Sequence, residues 1–313
     1  MVDMHMHTVY SDGLLKEQEI LARLLEVECM SVTDHNSVYF YKSLFNKGLV
    51  DKNLTDRIII GSEITIENYP DCLVFFPLLS PLDVEKINSI EGLLRKIRRS
   101  EETAVQQAYE ILKKTDNDVL YSDWNKDLIR MSPKEGYELE ARTCDLASMR
   151  YRLRNNVEGT QKFDKEDLKV ARIARRMVDY SVEYSPFQIA MESKGEIALA
   201  HPIKTAYIKA EREKGSLKAI QDNLEKIITW FYDNGGRIIE WEYIDEDVTR
   251  NPLIQINKEE LRSGVLDYIN RFDFKCVWGT DSHREFPKNS GSWSCETMET
   301  LGGRLPEWVR RKL

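Results

Sequence analysis

The sequence predicts an α/β fold in which short buried strands alternate with amphipathic helices and carry polar side chains to one edge of a sheet. Two observations support this. Apolar strand-like runs are followed by segments whose apolar residues recur at helical spacing. Each of the five histidines ends or follows one of these apolar runs, whereas randomly placed histidines would also fall on helices and loops. Parallel strands joined by helices, with chemistry at their carboxyl ends, indicate a barrel or a barrel-like sheet.

Seven strands are expected, and their apolar character is typical of strands buried on both faces of a parallel sheet. They are placed at residues 2–8, 29–33, 57–66, 73–79, 196–200, 237–243 and 275–279. Helices are expected between them at residues 14–28, before Gly48, at 216–234 and at 258–270. The pair Gly235-Gly236 is expected to end the third of these helices, because glycine adopts the left-handed conformation of a helix end.

The strand–helix pattern stops between residues 80 and 194, where the sequence becomes helical and highly charged. We therefore expect an inserted helical subdomain at 80–194. The barrel-like domain would comprise residues 1–79 and 195–290. Residues 291–313 would form a C-terminal tail packed on it.

Composition and charge narrow the class of protein. A net charge of −8 argues against a general nucleic-acid binder or a clamp on duplex nucleic acid, although bound metal ions would let an acidic chain handle phosphates. Five cysteines, an odd number at irregular spacing, favour reduced thiols in the cytoplasm, and the lack of a C-x-x-C pair argues against a structural zinc finger. The start of the chain does not resemble a signal peptide, and no apolar run approaches the roughly 20 residues of a membrane-spanning helix. We therefore expect a cytoplasmic protein with a small anionic partner.

Paired polar residues near both ends of the chain indicate metal binding. His5 and His7 are two residues apart, so on a strand both imidazoles point to the same face and can reach one ion. Asp281 and His283 repeat this spacing. Histidine is the commonest metal ligand, which makes a shared metal site the better interpretation of both pairs.

Four further residues extend the pattern. Glu63 can bridge two ions with its two oxygens, and His35 follows Asp34 on a turn after a strand. Asp12 and His201, taken alone, are about as well explained by a tight turn and by an ordinary histidine before a proline that favours an extended backbone. Together the eight residues are too many for one ion and enough for two or three. Imidazole and carboxylate ligands favour Mn, Fe or Zn over Mg or Ca.

These motifs together resemble the PHP (polymerase and histidinol phosphatase) family. The matching pieces are Asp3-Met-His5-Met-His7-Thr8 with Ser11-Asp12-Gly13, Thr33-Asp34-His35-Asn36, Gly61-Ser62-Glu63, Ala198-Leu-Ala-His201-Pro202 and Gly279-Thr-Asp281-Ser-His283. Each motif is weak alone, but five in the same order are specific. The helical insertion, with Ala171-Arg-Ile-Ala-Arg175, resembles the subgroup that acts on nucleotides.

The resemblance implies a distorted seven-stranded (β/α) barrel with a two- or three-metal phosphoesterase centre. His5, His7, Glu63 and Asp281 would hold one ion. Asp12, His35 and His283 would hold another, and Glu63 would bridge to a further ion that His201 also holds. Asp281, His201 and Glu63 are the residues expected to act in catalysis.

The chain departs from the family at one position. A histidine normally opens the strand after the glutamate, and this chain has Cys72 there. Cys72 is a candidate ligand, but an inert buried cysteine is the favoured interpretation. The third metal site would then be weak or empty, and two ions would still suffice for hydrolysis.

The expected reaction is phosphoester hydrolysis, in which a metal-bridging hydroxide attacks phosphorus in line. Expected substrates are nucleoside monophosphates, 3',5'-bisphosphates or the 5' ends of short oligonucleotides. Alternatives are a phosphatase for a non-nucleotide monoester such as histidinol phosphate, and a non-catalytic scaffold that binds a partner. Lys204 is a candidate phosphate contact, and Arg172 and Arg175 are weaker ones.

Overall fold

The computed structural model describes residues 2–66, 69–115, 173, 174, 177, 185–212, 216–242, 252–283 and 304–313. Strands and helices are mixed along the chain, which confirms the predicted α/β class. The strands are β1 (Val2–Asp3), β2 (Cys29–Met30), β3 (Ile60–Ile64), β4 (Cys72–Phe76), β5 (Glu196–Leu199), β6 (Ile238–Glu242) and β7 (Lys275–Gly279). The helices are α1 (Glu17–Arg23), α2 (Tyr39–Asn46), α3 (Lys52–Arg57), α4 (Val84–Thr115), α5 (Pro186–Ser193), α6 (Pro202–Arg212), α7 (Leu217–Asp233), α8 (Pro252–Phe272) and α9 (Glu307–Arg310).

The strands form a parallel pair, β1-β2, and a mixed five-stranded sheet in the order β3-β4-β5-β6-β7. The expectation of parallel strands is wrong for β4, which runs antiparallel to both β3 and β5. Residues 65–71, which connect β3 to β4, are too few for the crossover of about a dozen residues that a parallel pair requires. The two strands therefore pair as a hairpin.

Isolated contacts join the two sheets. The amide of Met4 donates to the carbonyl of Trp278 at 2.7 Å, and the amide of Ile59 donates to the carbonyl of Met30 at 2.9 Å. Single parallel bridges also pair Met6 with Ser282 and His35 with Glu63. Within the described residues the strands thus form two sheets linked by bridges, and the carboxyl ends of β1, β2 and β7 meet at one edge.

The core covers both faces of the five-stranded sheet. On β4, Leu73 and Phe75 belong to an interior cluster, while Cys72 belongs to a second cluster beneath α6, α7 and α8. Helix α7 packs the apolar stripe that its sequence predicts. Its buried residues include Ile220, Leu224, Ile227, Ile228 and Phe231. Gly235, at φ +94°, follows its last turn, which confirms the predicted helix end.

Helix α4 is the described beginning of the segment predicted as an insertion, and most of residues 80–194 lie outside the described part of the chain. Its apolar stripe of Ile87, Ile90, Leu94 and Ile97 is buried in the same cluster as Leu44 of α2. Neither α4 nor any other described helix is both long and apolar enough to cross a membrane.

The described end of the chain packs at the start of β7, away from Asp281. Leu305 and Val309 are buried in the interior cluster, and the ring of Trp308 lies 5.2 Å from that of Phe75. The amide of Cys276 donates to the carbonyl of Arg304 at 2.9 Å. Residues 291–303 of the predicted tail lie outside the described residues.

Gly279 ends β7 where this strand lies against the chain after β1. A Cβ atom there would lie 2.2 Å from the Cβ of His5 and 2.6 Å from its backbone nitrogen. We expect Gly279→Ala to lower the free energy of unfolding by about 3 kcal/mol, because overpacking a rigid core forces the backbone to shift. Urea denaturation measures this loss.

Gly264 provides a matched control, because a Cβ atom there meets nothing within 4 Å on α8. Gly264→Ala is expected to be neutral or to stabilise by up to about 1 kcal/mol, since alanine favours the helix. Equal effects of the two substitutions would contradict the proposed close contact at Gly279.

Candidate metal centre

The eight residues singled out from the sequence lie together at one edge of the strands. His5 and His7 follow β1, His35 follows β2, and Glu63 lies in β3. His201 follows β5, Asp281 and His283 follow β7, and Asp12 lies in a turn before α1. Their side chains form three overlapping groups whose nitrogen and oxygen atoms are close enough to hold metal ions.

The first group contains His5, His7 and Asp281. The two Nε2 atoms are 3.1 Å apart, and the Asp281 Oδ1 lies 3.5 Å from that of His5 and 3.2 Å from that of His7. Backbone pairing aligns the segments, because the amide of Asp281 donates to the carbonyl of His5 at 2.8 Å. Two-residue spacing on an extended chain thus places both imidazoles on one side.

The second group contains His7, Asp12, His35 and His283. The carboxylate of Asp12 is central, with its oxygens 3.7 Å from the Nδ1 of His7, 3.4 Å from the Nε2 of His35 and 3.2 Å from the Nε2 of His283. The Nδ1 of His283 donates to the carbonyl of Asp281 at 2.7 Å, which leaves its Nε2 facing Asp12. His7 therefore belongs to two groups, whereas the family resemblance implies one.

The third group contains His5, Glu63 and His201. The Glu63 Oε1 lies 2.9 Å from the Nε2 of His201, and its Oε2 lies 3.5 Å from the Nε2 of His5. His201 does not have the extended backbone expected before Pro202, since its φ is +25°. Its amide donates to the Oε2 of Glu240 at 2.6 Å, and this contact helps to hold the strained conformation.

The positions of the buried side-chain atoms show whether metal ions would fit this centre. The Oε2 of Glu63, the Oδ1 of Asp281 and the Nε2 of His283 are buried, and their polar neighbours are atoms of the other candidate ligands. The two carboxylate oxygens lie between 3.1 and 3.6 Å from imidazole nitrogens of neighbouring candidate ligands. The Nε2 of His283 lies 3.2 Å from a carboxylate oxygen of Asp12. Ligand atoms bound to one ion at roughly 2.0–2.2 Å are about 3–4 Å apart, so cations between these atoms would satisfy them.

The electrostatics of the centre also favour cations. Burial alone raises the pKa of Glu63, yet the imidazoles of His35 and His5 hold it well below the usual range. Burial likewise raises the pKa of Asp281, and Lys204 and His5 reverse the effect and lower it strongly. Burial lowers the pKa of His7, but hydrogen bonds with Asp281 and Glu63 raise it to about 9. Ionised carboxylates thus hold protons on the imidazoles, in positions that a divalent cation can take.

Glu240 and Asp34 orient ligands without joining the three groups. Glu240, on β6, lies with its Oε1 2.9 Å from the Nδ1 of His5, so the Nε2 of that ring faces the centre. Asp34 accepts hydrogen bonds from the amide of Thr8 at 2.7 Å and from the hydroxyl of Ser11 at 2.6 Å, which fixes the turn that carries Asp12. Such contacts set the orientation and basicity of metal ligands.

Cys72 does not join the centre. It pairs with Ile64 on β3, so its side chain points to the opposite face from Glu63 and packs in an apolar cluster. Burial, together with the nearby carboxylates, raises the pKa of its thiol well above the usual value, which disfavours a thiolate ligand. Among the described residues none of the three groups includes Cys72, which supports the inert buried cysteine favoured from the sequence. The preceding residue, Asp71, has its Oδ2 3.9 Å from the Nε2 of His201.

We therefore expect Cys72→Ala to leave metal content unchanged and to lower the free energy of unfolding by about 1 kcal/mol through lost packing. Cys276→Ala, in the same apolar cluster, is the matched control and should behave alike. Metal analysis and urea denaturation measure both effects. Loss of metal in Cys72→Ala alone would restore the thiol as a ligand.

The basic candidates differ in position. Lys204, in the first turn of α6, lies with its Nζ 2.5 Å from the Oδ2 of Asp281, at the partly exposed side of the centre. Arg172 and Arg175 lie outside the described residues, and their proposed contacts with phosphate are untested. Sequence reasoning missed Asp71 beside His201 and the Arg98 of α4 near His35. An acidic residue directly before an apolar strand was the one local signal for Asp71.

Comparison with solved structures shows two proteins with a similar fold. One, named a candidate metal-dependent phosphoesterase, is from Bifidobacterium adolescentis, with a TM-score of 0.53, 19% identity and coverage of 99% of this chain and 98% of that one. The other is an amidohydrolase from Chromobacterium violaceum solved with bound sulfate and without metal, with a TM-score of 0.51, 16% identity and coverage of 92% and 88%. At such low identity the likeness establishes the fold. No protein-family model and no curated protein matches the chain.

Proposed function

We propose that this protein is a metal-dependent phosphoesterase that hydrolyses phosphate esters of nucleotides. The proposal rests mainly on the cluster of eight buried or nearly buried candidate ligands, which form three overlapping groups. A similar fold in a candidate metal-dependent phosphoesterase supports the proposal. The sulfate in the other neighbour supports an anion site on such a fold, because sulfate resembles phosphate in shape. We further propose that the strands form the distorted seven-stranded barrel of the PHP family, since bridges link both pairs of sheet edges.

Two or three Mn, Fe or Zn ions, when bound, would lower the pKa of a water molecule and neutralise phosphoryl oxygens. The residues of this chain supply the ligands of the centre and hold them in position. Glu63 and Asp281 supply ionised carboxylates, and His201 presents its Nε2 beside Glu63. Glu240 holds His5 in place and also binds the backbone of His201. The donor set of imidazole and carboxylate suits these metals.

Lys204 is the proposed phosphate contact. Its ammonium group lies at the partly exposed edge of the centre, beside Asp281, where a phosphoryl oxygen of the substrate would arrive. We expect Lys204→Met to raise the KM for a phosphomonoester about tenfold, because one charge-assisted hydrogen bond is lost. Lys209→Met, at an exposed position of the same helix, should leave KM unchanged. An unchanged KM in Lys204→Met would exclude the contact.

A hydrolysis panel tests the proposed function. Metal-free protein is loaded with Mn²⁺ and assayed on AMP, adenosine 3',5'-bisphosphate, a short 5'-phosphorylated RNA, histidinol phosphate and an N-acyl amino acid. Hydrolysis of the nucleotide substrates supports the proposal. A preference for histidinol phosphate favours the alternative function of a non-nucleotide phosphatase. Hydrolysis of the N-acyl amino acid would instead indicate an amidohydrolase activity. Protein that binds no metal and hydrolyses none of them overturns the proposal in favour of a non-catalytic scaffold.

A further inference from the structure

The loop that carries His35 is strained. Asn36, directly after this ligand, has a φ of +47°, which is uncommon for a residue with a side chain. Conformations of this kind persist where surrounding contacts enforce them. The contacts that hold Asn36 therefore also determine where the imidazole of His35 lies.

One set of contacts comes from β3 and the residue after it. The amide of Asn36 donates to the carbonyl of Glu63 at 2.8 Å, and its side chain exchanges two hydrogen bonds with the backbone of Thr65, at 3.0 and 3.1 Å. The Nδ1 of His35 lies 2.8 Å from the hydroxyl of Thr65, so its Nε2 faces Asp12. This side of the loop is thus tied to the ligand-bearing strand.

The opposite side is held by an ion pair on α4. Arg98 donates to the carbonyl of Asn36 and to the Oε1 of Glu91. The Oε2 of Glu91 accepts hydrogen bonds from the amide of Val38 at 2.8 Å and from the hydroxyl of Ser37 at 3.2 Å. Arg98 and Glu91 therefore hold the turn that follows His35 through hydrogen bonds at its start, Asn36, and at its end, Val38.

Packing does not explain why these positions are charged. The side chains of Arg98 and Glu91 are 4% and 13% exposed, and burying an ion pair is often no more stabilising than burying apolar residues of the same size. The charged groups do satisfy a carbonyl and an amide of the loop, which apolar side chains cannot. The arrangement is therefore suited to fixing the geometry of the loop.

We infer that Arg98 and Glu91 are positioning residues that hold the His35 loop and set the metal affinity of the group formed by His7, Asp12, His35 and His283. This inference rests on the metal-dependent function proposed above. It makes α4, which lies outside the strand–helix repeat, a determinant of the metal centre. Contacts that orient ligands typically change metal affinity by about 10- to 100-fold.

The test is titration of the metal-free protein with Co²⁺, followed by visible absorption. His35→Ala identifies the binding event to which His35 contributes. In Arg98→Met that event should show a Kd about tenfold higher, while the other events keep their wild-type values. Arg99→Met, on the same helix at an exposed position, should titrate as the wild type does. Circular dichroism and a temperature well below unfolding ensure that folded protein is compared.

Two conservative variants keep the test decisive if Arg98→Met does not fold. Arg98→Lys retains a charge and a donor but loses the planar fork that reaches both Asn36 and Glu91, so it should weaken the same event less than Arg98→Met does, and Glu91→Gln should weaken it as well. Lower thermal stability with an unchanged Kd in Arg98→Met, or in Glu91→Gln if Arg98→Met does not fold, would make the pair merely structural and overturn the inference. A wild-type protein that binds no Co²⁺ would overturn the proposed function as well, so the two failures are distinguishable.

Discussion

Glu63→Gln is expected to abolish metal retention and to lower phosphoester hydrolysis by at least about 10³-fold. The oxygens of Glu63 lie within 3.5 Å of the imidazoles of His5, His7, His35 and His201. Glutamine keeps the size of the side chain but removes the charge that holds cations and one of the two oxygens that can share them. Metal analysis after gel filtration and the rate of phosphate release measure the two effects.

Glu196→Gln makes the same chemical change at the exposed start of β5 and should retain both metal and activity. Circular dichroism of Glu63→Gln should match that of the wild type, since the substitution leaves the shape of the core intact. If Glu63→Gln kept its metal and its turnover, the assignment of this carboxylate as the shared ligand would be wrong.

Metal affinity is expected to rise by at least about tenfold per pH unit between pH 7 and 9. Without metal, the pKa of His7 is about 9, against 6.5 for a free imidazole, because hydrogen bonds to Asp281 and Glu63 outweigh its burial. A metal ligand must be neutral, so an ion held by His7 must displace this proton below pH 9. Titration with Mn²⁺ at pH 7, 8 and 9 measures the change, and an affinity independent of pH would contradict it.

Stability of the metal-free protein should change in the opposite direction. The raised pKa of His7 means that its proton stabilises the folded state fully below pH 6.5, and this contribution is lost as the pH rises through about 9. Thermal unfolding of the metal-free protein at the same pH values tests the sign. A metal-free protein that became more stable between pH 7 and 9 would show that the proton on His7 does not contribute in this way.

The ligands could be predicted because their placement depends on local rules. A two-residue spacing on an extended chain and a position at a strand end determine which way His5, His7 and Asp281 point. Strand direction depends instead on the length of the connection. The predicted strands 57–66 and 73–79 leave only six residues between them, which is too short for a parallel crossover, so the antiparallel β4 was within reach of the sequence but was missed. Side chains alternate between the faces of a strand, so the side chain of Cys72 lies away from the centre, and the preceding residue, Asp71, lies beside His201.

The contact between Arg98 and the His35 loop lies beyond such rules. Asn36 and Arg98 are 62 residues apart, and their contact follows from the packing of α4 against the core. Arg98 is one of several basic residues in Arg95-Lys-Ile-Arg-Arg99, and no local signal in the sequence distinguishes it from a residue on a solvated helix face. Long-range contacts of this kind require the folded structure.

The contact between the segments that follow β1 and β7 has a consequence for the order in which the metal centre is completed. His5 and Asp281 are joined by a backbone hydrogen bond although almost the whole chain separates them. His5 and His7 are synthesised before β7, so the carboxylate of Asp281 is not available to them until β7 has been made. The set of ligands is therefore complete only after β7 has been synthesised, and retention of metal reports that the segment after β7 has joined the segment after β1.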